Sequence, residues 1–303
     1  MVFLRTLPSH ARQPRVYFVG RRQDEGRRIE TEIKALNPDG QYEYLPCDVS
    51  LLNNVDELCR LIRRKESSIN LLFVSSGTLI RGKEEGLHYP MAVTYYSRMR
   101  CVVNLLPLLK QATSLRRVVT VFAGTMEGAI FPDGFQARGL SIRSMRGHCV
   151  SMITLALESI AKQAPEVSFV HDYPGFVKTG LSRELKGPIP AIASVFFAPV
   201  MALLNIPIEE VGERQVFFAT SARFPPGSGE MGTDGVALDA GVCTATSTEG
   251  KIGGGVYSIC YKAEGLPWGA QEILAGLRKD GTTDKVWEHT KDEFIRITGA
   301  LSV

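Results

Sequence analysis

One stretch, from Gly139 to Leu181, constrains the fold of this chain more than any other. Within it, apolar residues recur at helical spacing from Ser141 to about Gln163, which predicts a long, packed helix. Pro165 ends that helix, and the β-branched and aromatic run from Val167 to Val170 predicts a buried strand. Pro174-Gly175 then turns the chain into a loop. A helix, a buried strand and such a loop form half of an α/β crossover, and ligands of open parallel sheets bind beside these loops.

Strand and helix patterns alternate along the rest of the chain. The predicted strands are 15–20, 42–45, 69–74, 117–122 and 256–261, and the predicted helices are 24–36, 51–65, 89–110, 208–220, 269–279 and 284–297. We therefore predict an α/β fold with a doubly wound parallel sheet that is covered by helices on both faces. The 303 residues suffice for one large domain, and we expect a single Rossmann-like domain over residues 1–303.

Composition narrows the class of protein. Apolar residues make up 44% and charged residues 22%, as in ordinary soluble globular proteins. The net charge of +3 is too small to indicate nucleic-acid binding. The 6 cysteines form no C-x-x-C pair and have no histidine cluster beside them, so we expect no metal site and a reducing compartment, the cytoplasm.

An uncharged apolar stretch from Ile189 to Ile206 raises the question of a membrane span. Pro190 and Pro199 interrupt it, which favours short helices that form a lid, residues 189–210, over an apolar pocket for a small-molecule substrate. Weak contact with a membrane surface stays open as an alternative. A loop-rich insertion is expected over residues 224–255, where glycine, serine and threonine are frequent.

Four sequence segments together resemble the short-chain dehydrogenase/reductase family, in its fungal secondary-metabolism branch. They are LALESIA at 155–161, FVHDYPGFVKTGL at 169–181, EGLHYPMAVTYYSRMR at 85–100 and LLPLL at 105–109. The resemblance covers roughly residues 12 to 225 and implies a Rossmann-like fold with NADP as cofactor. It also implies cofactor-binding roles for a set of residues near the strand ends: Arg21 or Arg22 at the 2′-phosphate, Asp48 at adenine, Ser76 and Gly77 beside the cofactor, and Val177 and Thr179 at the nicotinamide end.

The chain departs from that family at the residues that do its chemistry. The family's helix carries a Tyr-x-x-x-Lys pair, and the matching positions here are Ser141 and Met145. Its catalytic serine is replaced by Ala123-Gly124. A serine hydroxyl is a far weaker acid than a tyrosine, and a thioether carries neither charge nor donor. The resemblance therefore predicts that the usual carbonyl reduction has been lost.

The family also opens with a strand and a glycine-rich turn, which holds the pyrophosphate of the cofactor. Here no glycine precedes Gly20, and only Met1 to Leu4 could form a strand before Arg15. Two interpretations stay open. Either the start is truncated by about 30 residues, the size of a strand-helix unit, or the protein lacks a dinucleotide site.

Five polar residues are expected to face the pocket and are our candidates for catalysis: Thr125, Glu127, Ser141, Tyr95 and Tyr96. Glu127 follows a strand's carboxyl end, where carboxylates do acid/base work, although a surface charge would fit the same position. Tyr95 and Tyr96 could donate to a carbonyl or simply pack in the core. His171 and Asp172 are expected to line the floor of the site or to cap its loop.

Three functions from different classes remain. The first is an enzyme of secondary metabolism that uses its pocket for a non-redox step, a cyclisation or an isomerisation. The second is an NADP-dependent oxidoreductase with a truncated start and relocated catalytic groups. The third is a catalytically inactive partner or binding subunit. The sequence also leaves a homodimer open, and it does not favour nucleic acid as a partner.

Overall fold

A computed structural model describes residues 2–78, 86–175, 177, 206–228 and 235–303. Internal contacts divide the chain into two compact units, and each is described here by itself. The first comprises Met1–Asp48 and Gly175–Phe217, and the second comprises Val49–Pro174 and Phe218–Val303. That the whole chain forms one domain stays a prediction.

The first unit contains a pair of parallel strands. Strand β1 (Arg15–Gly20) lies beside β2 (Gln41–Pro46), and helix α2 (Gln23–Leu36) connects them. The apolar face of α2 packs on the strands, because Ile29 and Ile33 are buried against Phe18. The segment before β1, which the sequence allows as a strand stub, is instead helical as α1 (Val2–Thr6).

The helix α2 lies close to β2 because of a glycine. A Cβ atom at Gly26 would collide with the ring of Tyr44. The hydroxyl of Tyr44 donates to the carbonyl of Gly20 at 2.6 Å, which fixes the ring beneath the helix. Glycine at this position therefore sets the distance between helix and strand.

The second unit contains a four-stranded parallel sheet in the order β3-β4-β5-β6. Its strands are β3 (Leu71–Val74), β4 (Arg117–Val121), β5 (Ser168–Asp172) and β6 (Val256–Ile259). Its helices include α3 (Leu52–Lys65), α4 (Tyr89–Met91), α5 (Ser97–Gln111), α6 (Ile142–Ala161), α8 (Trp268–Lys279) and α9 (Thr282–Thr298). Only the last turn of α7 (Ile208–Thr220) belongs to the second unit. The parallel strands and alternating helices confirm the α/β class.

The predicted helix 89–110 is not a regular α-helix. Between α4 and α5 the residues Ala92–Tyr96 form a π-helical turn. The amide of Ser97 therefore bonds to Ala92, five residues back, and the Ser97 hydroxyl donates to the carbonyl of Val93 at 2.7 Å. Pro107, where we considered a kink, lies inside α5. Two consecutive tyrosines of this turn, Tyr95 and Tyr96, are both fully buried.

A buried ion pair ties helices α3 and α5 to the segment that follows α9. Two nitrogens of Arg100 donate to the two carboxylate oxygens of Asp56, each at 2.6 Å. A third nitrogen donates to the carbonyls of Ala300 and Leu301. Asn104 donates to the same carboxylate at 2.8 Å. The three contacts with Asp56 are buried, and the two with the carbonyls of Ala300 and Leu301 are partly buried, so both members of the ion pair have hydrogen-bond partners.

Two predicted segments fall mostly or partly outside the described residues. Of the lid, only residues 206–210 are described, and α7 begins within them. The described parts of the insertion, 224–228 and 235–255, consist of turns and single bridges such as that between Thr246 and Ile252. No described helix is long and apolar enough to cross a membrane.

Replacing Asp56 with alanine should destabilise the second unit strongly, because it leaves the Arg100 charge buried without its carboxylate. We expect urea denaturation to show a loss of about 3–5 kcal/mol in the free energy of unfolding. The matched control is Glu57→Ala on the same helix, which removes an exposed partner of Arg60 and should cost at most about 1 kcal/mol. Equal losses from the two variants would contradict this account.

Candidate functional site

Buried polar side chains gather at the carboxyl ends of β4, β5 and β6 in the second unit. His171 and Asp172 end β5, Ser258 lies in β6, and Glu127 follows β4. Glu127 is 5% exposed and His171 is fully buried. Since buried polar groups need hydrogen bonds from within the protein, the partners of this group define its geometry.

Two hydroxyl groups hold the carboxyl group of Glu127. The Oγ of Ser258 donates to Glu127 Oε1 at 2.5 Å, and Thr154 Oγ1 donates to the same oxygen at 2.9 Å. Behind Ser258, the amide of Thr125 donates to its Oγ at 2.8 Å. Behind Thr154, the Nδ1 of His171 lies 3.0 Å from Oγ1. We call these five residues the carboxyl clamp.

The backbone of Thr125 is strained. Its φ is 72°, in the left-handed region, which a β-branched residue rarely adopts. Such strain is found mostly where the surrounding structure imposes it, often at functional sites. Here the conformation accompanies the hydrogen bond from the Thr125 amide to Ser258.

The protonation of the clamp follows from its burial. Burial raises the pKa of Glu127, and the hydrogen bonds from Ser258 and Thr154 oppose that rise only in part. Burial, aided by the nearby charge of Arg98, lowers the pKa of His171 to about 3. At neutral pH the imidazole is therefore uncharged. Glu127 Oε2 and His171 Nε2 are buried atoms with no hydrogen-bond partner among the described residues.

The charge near His171 belongs to a buried arginine that joins the ends of two strands. Arg98 donates to the carbonyls of Val74, which ends β3, and of Ser76, which follows it. It also donates to the Val121 carbonyl and the Thr120 hydroxyl in β4. Burial lowers the pKa of Arg98 to about 10, so the group stays charged at neutral pH. Within the described ranges, no group of three His, Cys, Asp or Glu side chains could hold a metal ion.

The structure brings two of the five candidate catalytic residues together, Thr125 and Glu127. Ser141 lies elsewhere, as the exposed N-cap of α6, where its Oγ accepts from the Ser144 amide at 3.2 Å. The two tyrosines are packed in the core. The hydroxyl of Tyr95 lies 2.6 Å from Thr290 Oγ1, and that of Tyr96 lies 2.7 Å from His289 Nε2, which are structural partners. Catalytic roles for Ser141 and the tyrosines stay predictions.

The candidate cofactor residues are divided between the two units. Arg21, Arg22, Asp48 and Val177 belong to the first, Ser76 and Gly77 belong to the second, and Thr179 lies outside the described residues. The guanidinium of Arg22 lies 3.4 Å from carboxylates of both Asp24 and Glu25. Their binding roles stay predictions.

Among the described residues, none crowds Gly77. A Cβ atom there would meet nothing closer than Thr94 Oγ1 at 3.9 Å, and its φ is not left-handed. Neither crowding by described atoms nor backbone conformation therefore requires glycine, and the space fits close approach of a ligand to the backbone.

Gly124, in contrast, is enclosed. A Cβ atom would collide with the carbonyl oxygen of His171 and would lie 2.9 Å from that of Ile259. A side chain therefore has no room at Gly124, one of the two positions, Ala123 or Gly124, where the resemblance places the family's serine.

Ser258 and Thr154 are site residues that sequence reasoning missed. Both are polar residues inside apolar runs, VYSI in β6 and MITLAL in α6. A buried hydroxyl in such a run needs a partner, and this signal could have drawn attention to them. Their common partner, Glu127, is too distant in sequence for spacing to reveal it.

The chain is similar to fungal proteins that are named as oxidoreductases or as a short-chain dehydrogenase/reductase. No protein-family model matches the sequence. "Oxidoreductase AN1596" of Emericella nidulans is 34% identical over 294 residues, covering 95% of this chain and 87% of that protein. "Oxidoreductase andH" of Emericella variicolor is 35% identical over 301 residues, covering 97% and 87%. "Short-chain dehydrogenase/reductase SAT2" of Stachybotrys chartarum is 30% identical over 313 residues, covering 94% and 84%.

Solved structures share the fold at low sequence identity. The Pseudomonas aeruginosa RhlG/NADP active-site complex has a TM-score of 0.53 and 17% identity, covering 72% of this chain and 83% of that one. The KRED1-Pglu enzyme has a TM-score of 0.53 and 15% identity, covering 72% and 88%. These likenesses concern the Rossmann-type fold.

Replacing Gly124 with alanine should destabilise the second unit, because the added Cβ meets backbone oxygens that cannot turn aside. We expect a loss of about 1–3 kcal/mol, measured by thermal or urea unfolding. Gly77→Ala is the matched control and should change the stability little, because the added Cβ would meet no described atom closer than Thr94 Oγ1 at 3.9 Å. A larger loss for Gly77→Ala than for Gly124→Ala would show that the packing has been misjudged.

Proposed function

Since the chain belongs to the short-chain dehydrogenase/reductase family and is similar to its fungal oxidoreductases, we propose that it acts on a small apolar metabolite of secondary metabolism in a non-redox step. The reaction class is an isomerisation or a cyclisation that begins with proton transfer. The observation that carries the proposal is the buried carboxyl group of Glu127, held on one oxygen by two hydroxyl groups.

The residues at the family's acid/base positions do not support hydride chemistry. Ser141 caps a helix, and Met145 has a thioether that packs against the core. Ala123 and Gly124 stand where the resemblance places the family's serine, and Gly124 has no room for a side chain. The absence of a tyrosine, a lysine and a serine from these positions supports the proposal that the protein does not reduce carbonyls in the family's usual way.

Glu127 has the properties of a general acid. Its pKa is raised by burial, so the protonated form persists to higher pH than in an exposed glutamate. Transfer of that proton to a substrate oxygen or double bond leaves the electron pair on the carboxylate, which Ser258 and Thr154 stabilise by donation. In an isomerisation the carboxylate then takes a proton from a second carbon and is restored. In a cyclisation it takes the proton released after ring closure.

NADP-dependent oxidoreduction is the second candidate, and two observations favour it. The relatives are named oxidoreductases, and the space beside Gly77 fits close approach of a cofactor. Arg21 or Arg22 would hold the 2′-phosphate, Asp48 the adenine, and Ser76, Val177 and Thr179 the remaining parts. Bound NADP would supply or accept a hydride. The pairing of Arg22 with Asp24 and Glu25 weighs against it, because those carboxylates oppose a phosphate.

Titration with NADPH separates these candidates. If the non-redox proposal holds, the cofactor's fluorescence should show no saturable change on addition of the purified protein. Saturable binding that weakens in Arg21→Ala or Arg22→Ala, but not in the control Arg60→Ala on α3, would favour the oxidoreductase instead.

Glu127→Gln should abolish product formation from pathway intermediates supplied without cofactor. The amide keeps the shape but cannot release a proton, and general acids contribute about a hundredfold or more to rate. The control Glu249→Gln removes a more exposed carboxylate that pairs with Lys251, and it should leave the rate unchanged. Full activity in Glu127→Gln would refute the acid role, and no product from the wild type would point to an inactive binding subunit.

A further inference from the structure

We propose that His171 is a positioning residue for Glu127 and that, acting through Thr154, it makes Oε2 the carboxyl oxygen that carries the transferred proton. This inference rests on the acid role proposed above for Glu127. It concerns the direction of each hydrogen bond in the carboxyl clamp, which decides where the single mobile proton lies.

One arm of the clamp has a fixed direction. The Thr125 amide can only donate, so Ser258 Oγ must accept from it. The one hydroxyl proton of Ser258 is then directed to Glu127 Oε1 at 2.5 Å. This arm places a donor on Oε1 as long as Oε1 itself carries no proton.

The other arm depends on the tautomer of His171. Thr154 Oγ1 lies 2.9 Å from Glu127 Oε1 and 3.0 Å from His171 Nδ1, and it has one proton for these two neighbours. If Nδ1 carries a hydrogen, it donates to Thr154, and the threonine proton goes to Oε1. Oε1 then accepts from two hydroxyl groups, and a proton on the carboxyl group is left to Oε2.

The opposite tautomer would reverse this arm. With hydrogen on Nε2, the bare Nδ1 would take the Thr154 proton, and Thr154 would accept from a protonated Oε1. The acid proton would then lie between Glu127 Oε1 and Thr154 Oγ1, and Oε2 would carry none. Among the described residues Nε2 has no partner, and a buried N–H without an acceptor is rarer than a buried bare nitrogen. The surroundings therefore favour hydrogen on Nδ1.

Burial keeps His171 in the neutral form that this arrangement needs. It lowers the pKa of the ring, and the charge of Arg98 lowers it further. Glu158, one turn beyond Thr154 on α6, is occupied by Arg278 at 2.6 Å and by Thr248 at 2.7 Å. Asp172, the next residue in β5, interacts with Arg98. An uncharged ring can thus orient Thr154 without taking the acid proton itself.

Nitrogen NMR of the histidine rings tests the inference without a substrate. In the wild type we expect the ¹⁵N signals of His171 to report a protonated Nδ1 and a bare Nε2 at neutral pH. Thr154→Val, which removes the acceptor at nearly the same volume, should abolish the predominance of that tautomer. Thr154→Ser keeps a hydroxyl and should retain it. A wild-type ring with hydrogen on Nε2, or a Thr154→Val spectrum identical to that of the wild type, would overturn the inference.

Kinetics add a readout that a purely structural role would not change. His171→Asn places an amide donor near the position of Nδ1, whereas His171→Leu fills the space without one. We expect His171→Leu to lower kcat on the order of tenfold to a hundredfold at unchanged KM, and His171→Asn to recover part of that loss. Equal kcat values for the two variants, with both proteins folded, would overturn the positioning role.

The Glu127→Gln assay and the tautomer of His171, taken together, distinguish failure of this inference from failure of the proposed function. An inactive Glu127→Gln together with hydrogen on Nε2 of His171 overturns the inference and leaves the acid role standing. A fully active Glu127→Gln overturns both, whatever the tautomer. An inactive Glu127→Gln with hydrogen on Nδ1 and a partial rescue by His171→Asn supports both.

Discussion

Burial of polar groups at the ends of the parallel strands is the constraint on which the second unit depends. Strands β4, β5 and β6 end together, and their polar residues lie where solvent is excluded. Each group must therefore find its partner within the chain. Arg98 donates to strand carbonyls, and the carboxyl group of Glu127 accepts from hydroxyl groups. The same enclosure that demands these bonds shifts the pKa values of Glu127 and His171 in the directions that suit proton transfer.

Two neighbouring residues, Gly124 and Thr125, connect the close packing at these strand ends to the carboxyl clamp. Gly124 has no space for a side chain, so the chain approaches β5 and β6 closely at that point. Thr125 follows in a left-handed conformation, and its amide donates to Ser258. One tight turn thus excludes a side chain at Gly124 and supplies a fixed donor to the clamp. The non-redox reaction that we propose depends on this turn, because it holds Ser258 beside Glu127.

Hydrophobic periodicity predicted most of the fold, because burial on one face of a helix or on a strand leaves a repeating pattern. The run at Arg15–Gly20 was placed correctly, and the long helix α6 was placed within two residues. The π-helical turn at Ala92–Tyr96 was missed, since a pattern based on 3.6 residues per turn contains no wider turn. Glu127 was predicted as a candidate from its position after a strand, and its catalytic role stays a prediction. Its partners, Thr154 and Ser258, were not, because contacts between distant segments leave no spacing in the sequence.

The ion pair between Arg100 and Asp56 has a consequence for how the protein is made. Arg100 is fully bonded only when the carbonyls of residues 300 and 301 are in place. Helix α5 leaves the ribosome long before those residues do, so the Arg100 guanidinium lacks these two acceptors while β4, β5, β6 and the helices after them are synthesised.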